Sequence, residues 1–154
     1  MISFDGVQVV EKLRSGPVAD LYRAIQQPLG RPVLIKALGP SILPSSPFAA
    51  MLEREARLLG ELRHDGILAL YDFVRKDERM WLVLEWIDGW TLAELLGRGA
   101  PIGADSAVAI TLEVAKALGH AHEHGVVHRD IQPKNVLLSR SGTIKLTDFA
   151  VAGD

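Results

Sequence analysis

Apolar and polar positions alternate through the first part of the chain. Val7 to Leu13 (VQVVEKL) and Ala19 to Ile25 (ADLYRAI) read as two strands joined by a turn at Ser15-Gly16-Pro17. Pro28-Leu29-Gly30 makes the next turn. Pro32 to Leu38 (PVLIKAL) is nearly continuous in apolar residues, which predicts a central strand. Gly66 to Phe73 (GILALYDF) and Arg79 to Ile87 (RMWLVLEWI) add two strands around the charged turn Arg75-Lys76-Asp77-Glu78. The period changes to that of a helix at Ser46-Pro47, an N-cap followed by proline at the first helical position. That helix runs to about Arg63, with an apolar stripe of Phe48, Leu52, Leu59 and Leu62. The pattern predicts a five-stranded antiparallel sheet with one helix, ended by Asp88-Gly89.

Beyond that break the chain turns helical. Thr91-Leu-Ala-Glu94 has the form of a capping box. Asp105 to about His124 reads as a long helix, with Val108, Leu112, Ala115 and Leu118 towards a core and Gly125 at the C-terminal stop. His128 to Ala150 reads as a polar loop, a short strand, a turn and a second short strand. The fold class is therefore α+β, with residues 1–88 as one domain and 89–154 as a second, partial one.

Two charges stand where this pattern has no place for them. Lys36 is the one charge in the central strand, and Glu55 completes the helix stripe. A carboxylate in a buried stripe is costly unless paired, so the economical reading is that the two meet. The alternatives are a lysine whose head reaches water and a glutamate on the solvated edge of its stripe.

Composition narrows the chemistry. The 154 residues are 48% hydrophobic and 23% charged, with a net charge of -2, an ordinary globular balance that favours neither nucleic acid nor a membrane surface. Cysteine is absent, which excludes disulfides and thiol catalysis and fits a reducing, cytoplasmic setting. The N-terminal stretch carries Asp5 and Glu11 and lacks the form of a signal peptide, and no apolar run is long enough to span a bilayer. His120 and His124 have a metal-ligand spacing without a further ligand at the expected distance; histidines at a helix C-terminus also complement its dipole. The strongest candidate chemistry lies in Asp130, Asn135 and Asp148, which a hairpin gathers at one end. Three oxygen-bearing side chains there suit a hard cation and phosphate.

At this point VLIK at 33–36, EREARLLGELRH at 53–64, LVLEWIDGWTL at 82–92, HRDIQPKNVLL at 128–138 and TDFA at 147–150 stand in an order and spacing that resembles a Hanks-type serine/threonine protein kinase of the bacterial kind. The resemblance covers about residue 9 onwards. It implies ATP and Mg²⁺ as cofactors. Lys36, fixed by Glu55, would hold the α- and β-phosphates; Asp130 would orient the substrate hydroxyl; Asn135 and Asp148 would bind the metal. Gly16 would belong to the phosphate loop. Glu85 and Ile87 would meet the adenine edge, with Leu84 as gatekeeper and Leu21, Leu34 and Leu137 around the ring. Leu59, Leu70, His128 and Phe149 would form the apolar spine.

One loop and three single positions depart from the family pattern. The glycine-rich loop reads Arg14-Ser-Gly16-Pro-Val-Ala19, Leu34 replaces the usual alanine, Gln132 replaces the catalytic-loop lysine, and Ala150 replaces the glycine after Asp148-Phe149. Against the family pattern the chain carries about three fifths of a kinase domain and lacks the activation loop. Its last helix and hairpin would then present an apolar face to a protein partner or to a second copy. Three readings follow: a pseudokinase acting as a binding module, an active ATP-dependent kinase, and a small-molecule phosphotransferase of the aminoglycoside-kinase type. The HRD sequence and LEWIDG favour the protein-kinase branch, and the substitutions favour the binding module for this chain.

Overall fold

A computed structural model describes residues 4–99 and 101–153. Its strands are β1 (Val7–Ser15), β2 (Ala19–Gln26), β3 (Arg31–Leu38), β4 (Leu70–Lys76), β5 (Arg79–Glu85), β6 (Gly89–Thr91), β7 (Val136–Ser139) and β8 (Ile144–Leu146). Its helices are α1 (Pro47–Glu61), α2 (Leu92–Gly97) and α3 (Ala104–Glu123), with a 3₁₀ turn at Pro133–Asn135. The chain divides into two compact units. The first runs to Ala56 and includes Leu70–Trp86; the second comprises Arg57–Ala69 and Ile87 onwards.

The first unit holds the predicted five-stranded antiparallel sheet, in the order β1-β2-β3-β5-β4. Alternation on β3 buries Val33, Ile35 and Ala37 on one face, and β5 is buried from Met80 to Leu84. Phe4 closes this core, its ring 5.4 Å from that of Tyr22 and 5.3 Å from that of Trp81. Between β4 and β5 the turn narrows to Asp77 and Glu78, whose φ values of 47° and 62° give the left-handed pair that a two-residue hairpin requires.

Ser46 starts α1, its Oγ accepting from the Ala49 amide at 3.2 Å. The helix buries Ala49, Leu52, Glu55, Ala56 and Leu59. Phe48, expected in that stripe, is exposed: it sits in the first turn, one position off the row that Ala49 begins. The strand expected over 66–73 starts only at Leu70. Gly66 to Leu68 form instead a turn that pairs with β8, the Leu146 amide donating to the Gly66 carbonyl at 2.7 Å and the Leu68 amide to the Leu146 carbonyl at 2.9 Å. Ile67 and Leu68 are buried, as their apolar character demands, but against a distant strand.

In the second unit the capping box forms as expected. Thr91 Oγ1 accepts from the Glu94 amide at 3.1 Å and Glu94 Oε2 accepts from the Thr91 amide at 2.8 Å. α3 ends at Gly125, whose φ of 71° stops the helix. Its orientation corrects the sequence reading. Ile110, Ala117 and Ala121 are buried, whereas Val108 and Leu112 are 68% and 52% exposed, and Ala115 is exposed as well. α3 carries apolar residues on more than one face, so periodicity alone does not choose between them. The 128–150 hairpin appears as β7 and β8, and β6 joins it to make a three-stranded sheet. β6 was not foreseen. It depends on Gly89, where a Cβ would lie 1.9 Å from the Leu138 carbonyl oxygen.

Candidate functional site

In the first unit, Lys36 and Glu55 meet. Lys36 Nζ lies 2.6 Å from Glu55 Oε2, with the glutamate side chain 2% and the lysine side chain 16% exposed. This confirms the pairing inferred from two misplaced charges. Leu34 and Lys36 share the half-buried face of β3, opposite the face of Val33 and Ile35. Leu21 is the cross-strand partner of Lys36, and Glu85 that of Val33. Gly16 opens the β1–β2 loop. Its amide donates to the Ala19 carbonyl at 3.0 Å, and a Cβ there would come within 2.7 Å of the same oxygen. The middle glycine is thus sterically required, and its N–H is already used. Pro17 has none to offer. Two donors at the loop tip are therefore withdrawn from any phosphate.

A neighbouring feature escaped the sequence reading. Asp20, on β2 beside this loop, is buried; Lys12 Nζ donates to its Oδ2 at 2.8 Å and the Tyr22 hydroxyl at 3.3 Å. The Lys12 hydrogen bond holds the Asp20 carboxyl below the usual carboxylate range and raises the lysine in return, while burial pushes the Tyr22 phenol up. An acid at a position of strand alternation where β2 turns inward was the available signal.

In the second unit the polar loop closes a ring of hydrogen bonds. The Asp130 amide donates to His128 Nδ1 at 3.2 Å, and His128 Nε2 donates to the Thr147 carbonyl at 2.9 Å. The Thr147 amide donates to the Asn135 carbonyl at 3.0 Å. Asn135 Nδ2 donates back to the Asp130 carbonyl at 2.9 Å and to Asp130 Oδ2 at 3.0 Å. With His128 Nδ1 accepting, Nε2 is the donor of the pair, and the ring is buried 4.6 Å from that of Phe149. It acts by packing and bridging, as the spine assignment implies. Gln132 Nε2 donates to the other Asp130 oxygen, Oδ1.

The ring also assigns the Asn135 amide. Both of its partners are acceptors, so Nδ2 faces Asp130 and Oδ1 is left for a cation. Asp148 follows Thr147 directly and has φ 66°, and Arg129 has φ 67°. Left-handed backbone at residues other than glycine collects at functional sites. Ala150 is not among the residues with positive φ, so alanine costs no strain there in this conformation. Among the described residues no cluster of three His, Cys, Asp or Glu could cage a metal. One amide oxygen and one carboxylate fit a magnesium ion whose shell is completed by phosphate and water.

A family model described as protein kinase domain matches residues 7–154. The chain belongs to the protein kinase family. Among its relatives are bacterial serine/threonine kinases. It is 36% identical over 149 residues to the probable serine/threonine-protein kinase PknB of Lactococcus lactis, covering 96% of this chain and 24% of that protein. It is 34% identical to PrkC of Bacillus subtilis over 145 residues, 94% of this chain and 22% of that one. For PknL of Mycobacterium tuberculosis the figures are 35% over 143 residues, 93% and 36%. The chain thus spans between about a fifth and about a third of the length of these relatives.

Within a kinase-family chain the site residues sort by unit. Gly16, Leu21, Leu34, Lys36, Glu55 and Glu85 lie in the first, and Ile87, Asp130, Asn135, Leu137 and Asp148 in the second. Leu137 is half-buried on β7 and Ile87 is half-buried just before β6.

Proposed function

We propose that this chain binds Mg-ATP in the manner of a protein kinase but transfers phosphate poorly, and that it acts chiefly as a pseudokinase-type binding module in the cytoplasm. The Lys36–Glu55 pair at 2.6 Å, half-buried at the lysine and buried at the glutamate, carries the nucleotide half of this reading, because a lysine so placed is preorganised for phosphate oxygens. Bound Mg-ATP would supply the phosphoryl group and neutralise its charge. Lys36 would hold phosphate, Asn135 Oδ1 and Asp148 would hold the metal, and Asp130 would take the hydrogen bond of an incoming hydroxyl. Gln132 supports the weak-transfer half. It places a neutral amide on Asp130 where the family pattern has a cation. Losing such a stabilising contact costs about 2.7–4 kcal/mol in the transition state.

Thermal melting with and without Mg-ATP tests the proposal. Ligand at ~100 times Kd adds about 2.7 kcal/mol, and the shift should vanish in Lys36→Met and Asp148→Asn. No shift at any concentration would remove the nucleotide reading. A second reading, an active serine/threonine kinase within a longer protein, draws on the intact ring around Asp130. Steady ATP turnover lost in Asp130→Asn would establish it over the first. The partner in either case is proposed to be a protein, met through the apolar face of α3 that carries Val108 and Leu112.

A further inference from the structure

Three histidines that the kinase reading leaves unused stand in one stack. His64, in the turn after α1, lies 5.0 Å ring to ring from His120, and His120 lies 4.4 Å from His124. Their partners settle where two of the protons are. The Gly66 amide donates to His64 Nδ1 at 2.9 Å, so that nitrogen is unprotonated. His124 Nδ1 donates to the His120 carbonyl at 2.8 Å. His120 Nε2 is buried and has no hydrogen-bond partner among the described residues. A proton gained by this ring would bring charge into a poorly solvated place between two other imidazoles.

The stack marks the junction of the 64–68 turn with α3. Gly66 is packed so closely that a Cβ would lie 3.2 Å from both Ala117 Cβ and His64 Nδ1. The same turn carries β8 through the two Leu146 hydrogen bonds, and β8 leads through Thr147 to Asp148.

We propose that the His64–His120–His124 stack is a proton-sensitive clamp, which when neutral holds the 64–68 turn on α3, and with it the strand leading to Asp148, and which acid releases. The groups acting on His120 are His64 from the turn and His124 and Glu123 from α3. Burial first, then His124 and His64, lower its pKa; Glu123 opposes them. The folded state therefore takes up this proton less readily than the unfolded chain. The stabilisation is fully present above the ordinary histidine value of 6.5 and is lost as pH falls below it towards the lowered folded value.

The test needs neither nucleotide nor activity. Melting of the whole chain is followed from about pH 8 to about pH 5.5, and the wild type should lose ~2–4 °C more than His120→Phe, which keeps a ring and removes the titration. His124→Asn, at an exposed position, should also flatten the acid limb and serves if His120→Phe does not fold. His122 and His128 are common to all three proteins and cancel in the difference. Amide exchange at Leu68 and Leu146, corrected for intrinsic rates, should rise in acid in the wild type and less in the variants. Equal acid loss in the proteins that fold, or a His120 imidazole titrating by NMR at or above the ordinary value, would overturn the proposal.

Discussion

Gln132 is the residue on which the proposed weakness of phosphotransfer rests. Its amide and that of Asn135 between them engage both oxygens of Asp130, so the carboxylate is well oriented. What position 132 lacks, against the family pattern, is the positive charge of a lysine; the loop's other cations are Arg129 and Lys134. Gln132→Lys should therefore raise phosphotransfer to a generic basic protein by about 10²-fold at saturating Mg-ATP, with little change in the Mg-ATP melting shift. An unchanged rate would place the defect elsewhere, with the loop of Gly16 and Pro17 the next candidate. Lys36 and Glu55 show how far single residues were legible. Each broke the apolar pattern of its element, and two such violations pointed at one another. Asp20 broke its pattern in the same way but was missed, because Lys12, its partner, lies on an exposed strand where a lysine attracts no notice.

At the scale of elements, β6 depends on one close backbone approach, and the β1–β2 hairpin carries the buried Asp20. Gly89→Ala would drive a Cβ into the Leu138 carbonyl, a backbone atom that cannot turn aside. The variant should lose about 2–3 kcal/mol in denaturant unfolding, and unaltered stability would mean that β6 shifts freely. For the hairpin the relevant variable is pH. The Lys12 hydrogen bond depresses the Asp20 pKa, so its stabilisation is present above the ordinary carboxylate value of 3.8 and disappears as pH falls below it. Between about pH 7 and about pH 3 the wild type should therefore lose more melting temperature than Asp20→Asn. Parallel curves would show that the carboxylate is as well solvated as in the unfolded chain. The long helix teaches the limit of periodicity. Its apolar residues occupy more than one face, and which face is buried depends on what the turn at 64–68 and β8 place against it.

For the molecule as a whole, the exposed apolar face of α3 predicts association. Val108 and Leu112 lie one turn apart on α3 and are both exposed. Sedimentation should show concentration-dependent self-association that Leu112→Glu abolishes; a strict monomer at high concentration would argue against a second copy as the partner. No helix among the described residues is long and apolar enough to cross a membrane.

Sequence by itself determined the antiparallel five-stranded sheet, the caps at Ser46 and Thr91, the stop at Gly125 and the identity of the kinase motifs. The elements and their caps follow from local rules, namely period, capping chemistry and the freedom of glycine at positive φ, whereas the kinase motifs were legible through their resemblance to a family. Tertiary structure decided what depends on distant partners. It turned the 66–68 segment from a sheet strand into a mate of Leu146, brought Gly89 against Leu138, buried a face of α3 other than that of Val108 and Leu112, and stacked the distant His64 on the His120–His124 pair. Each is a choice between surfaces of similar apolar character, and only packing against a particular neighbour gives that choice an energy.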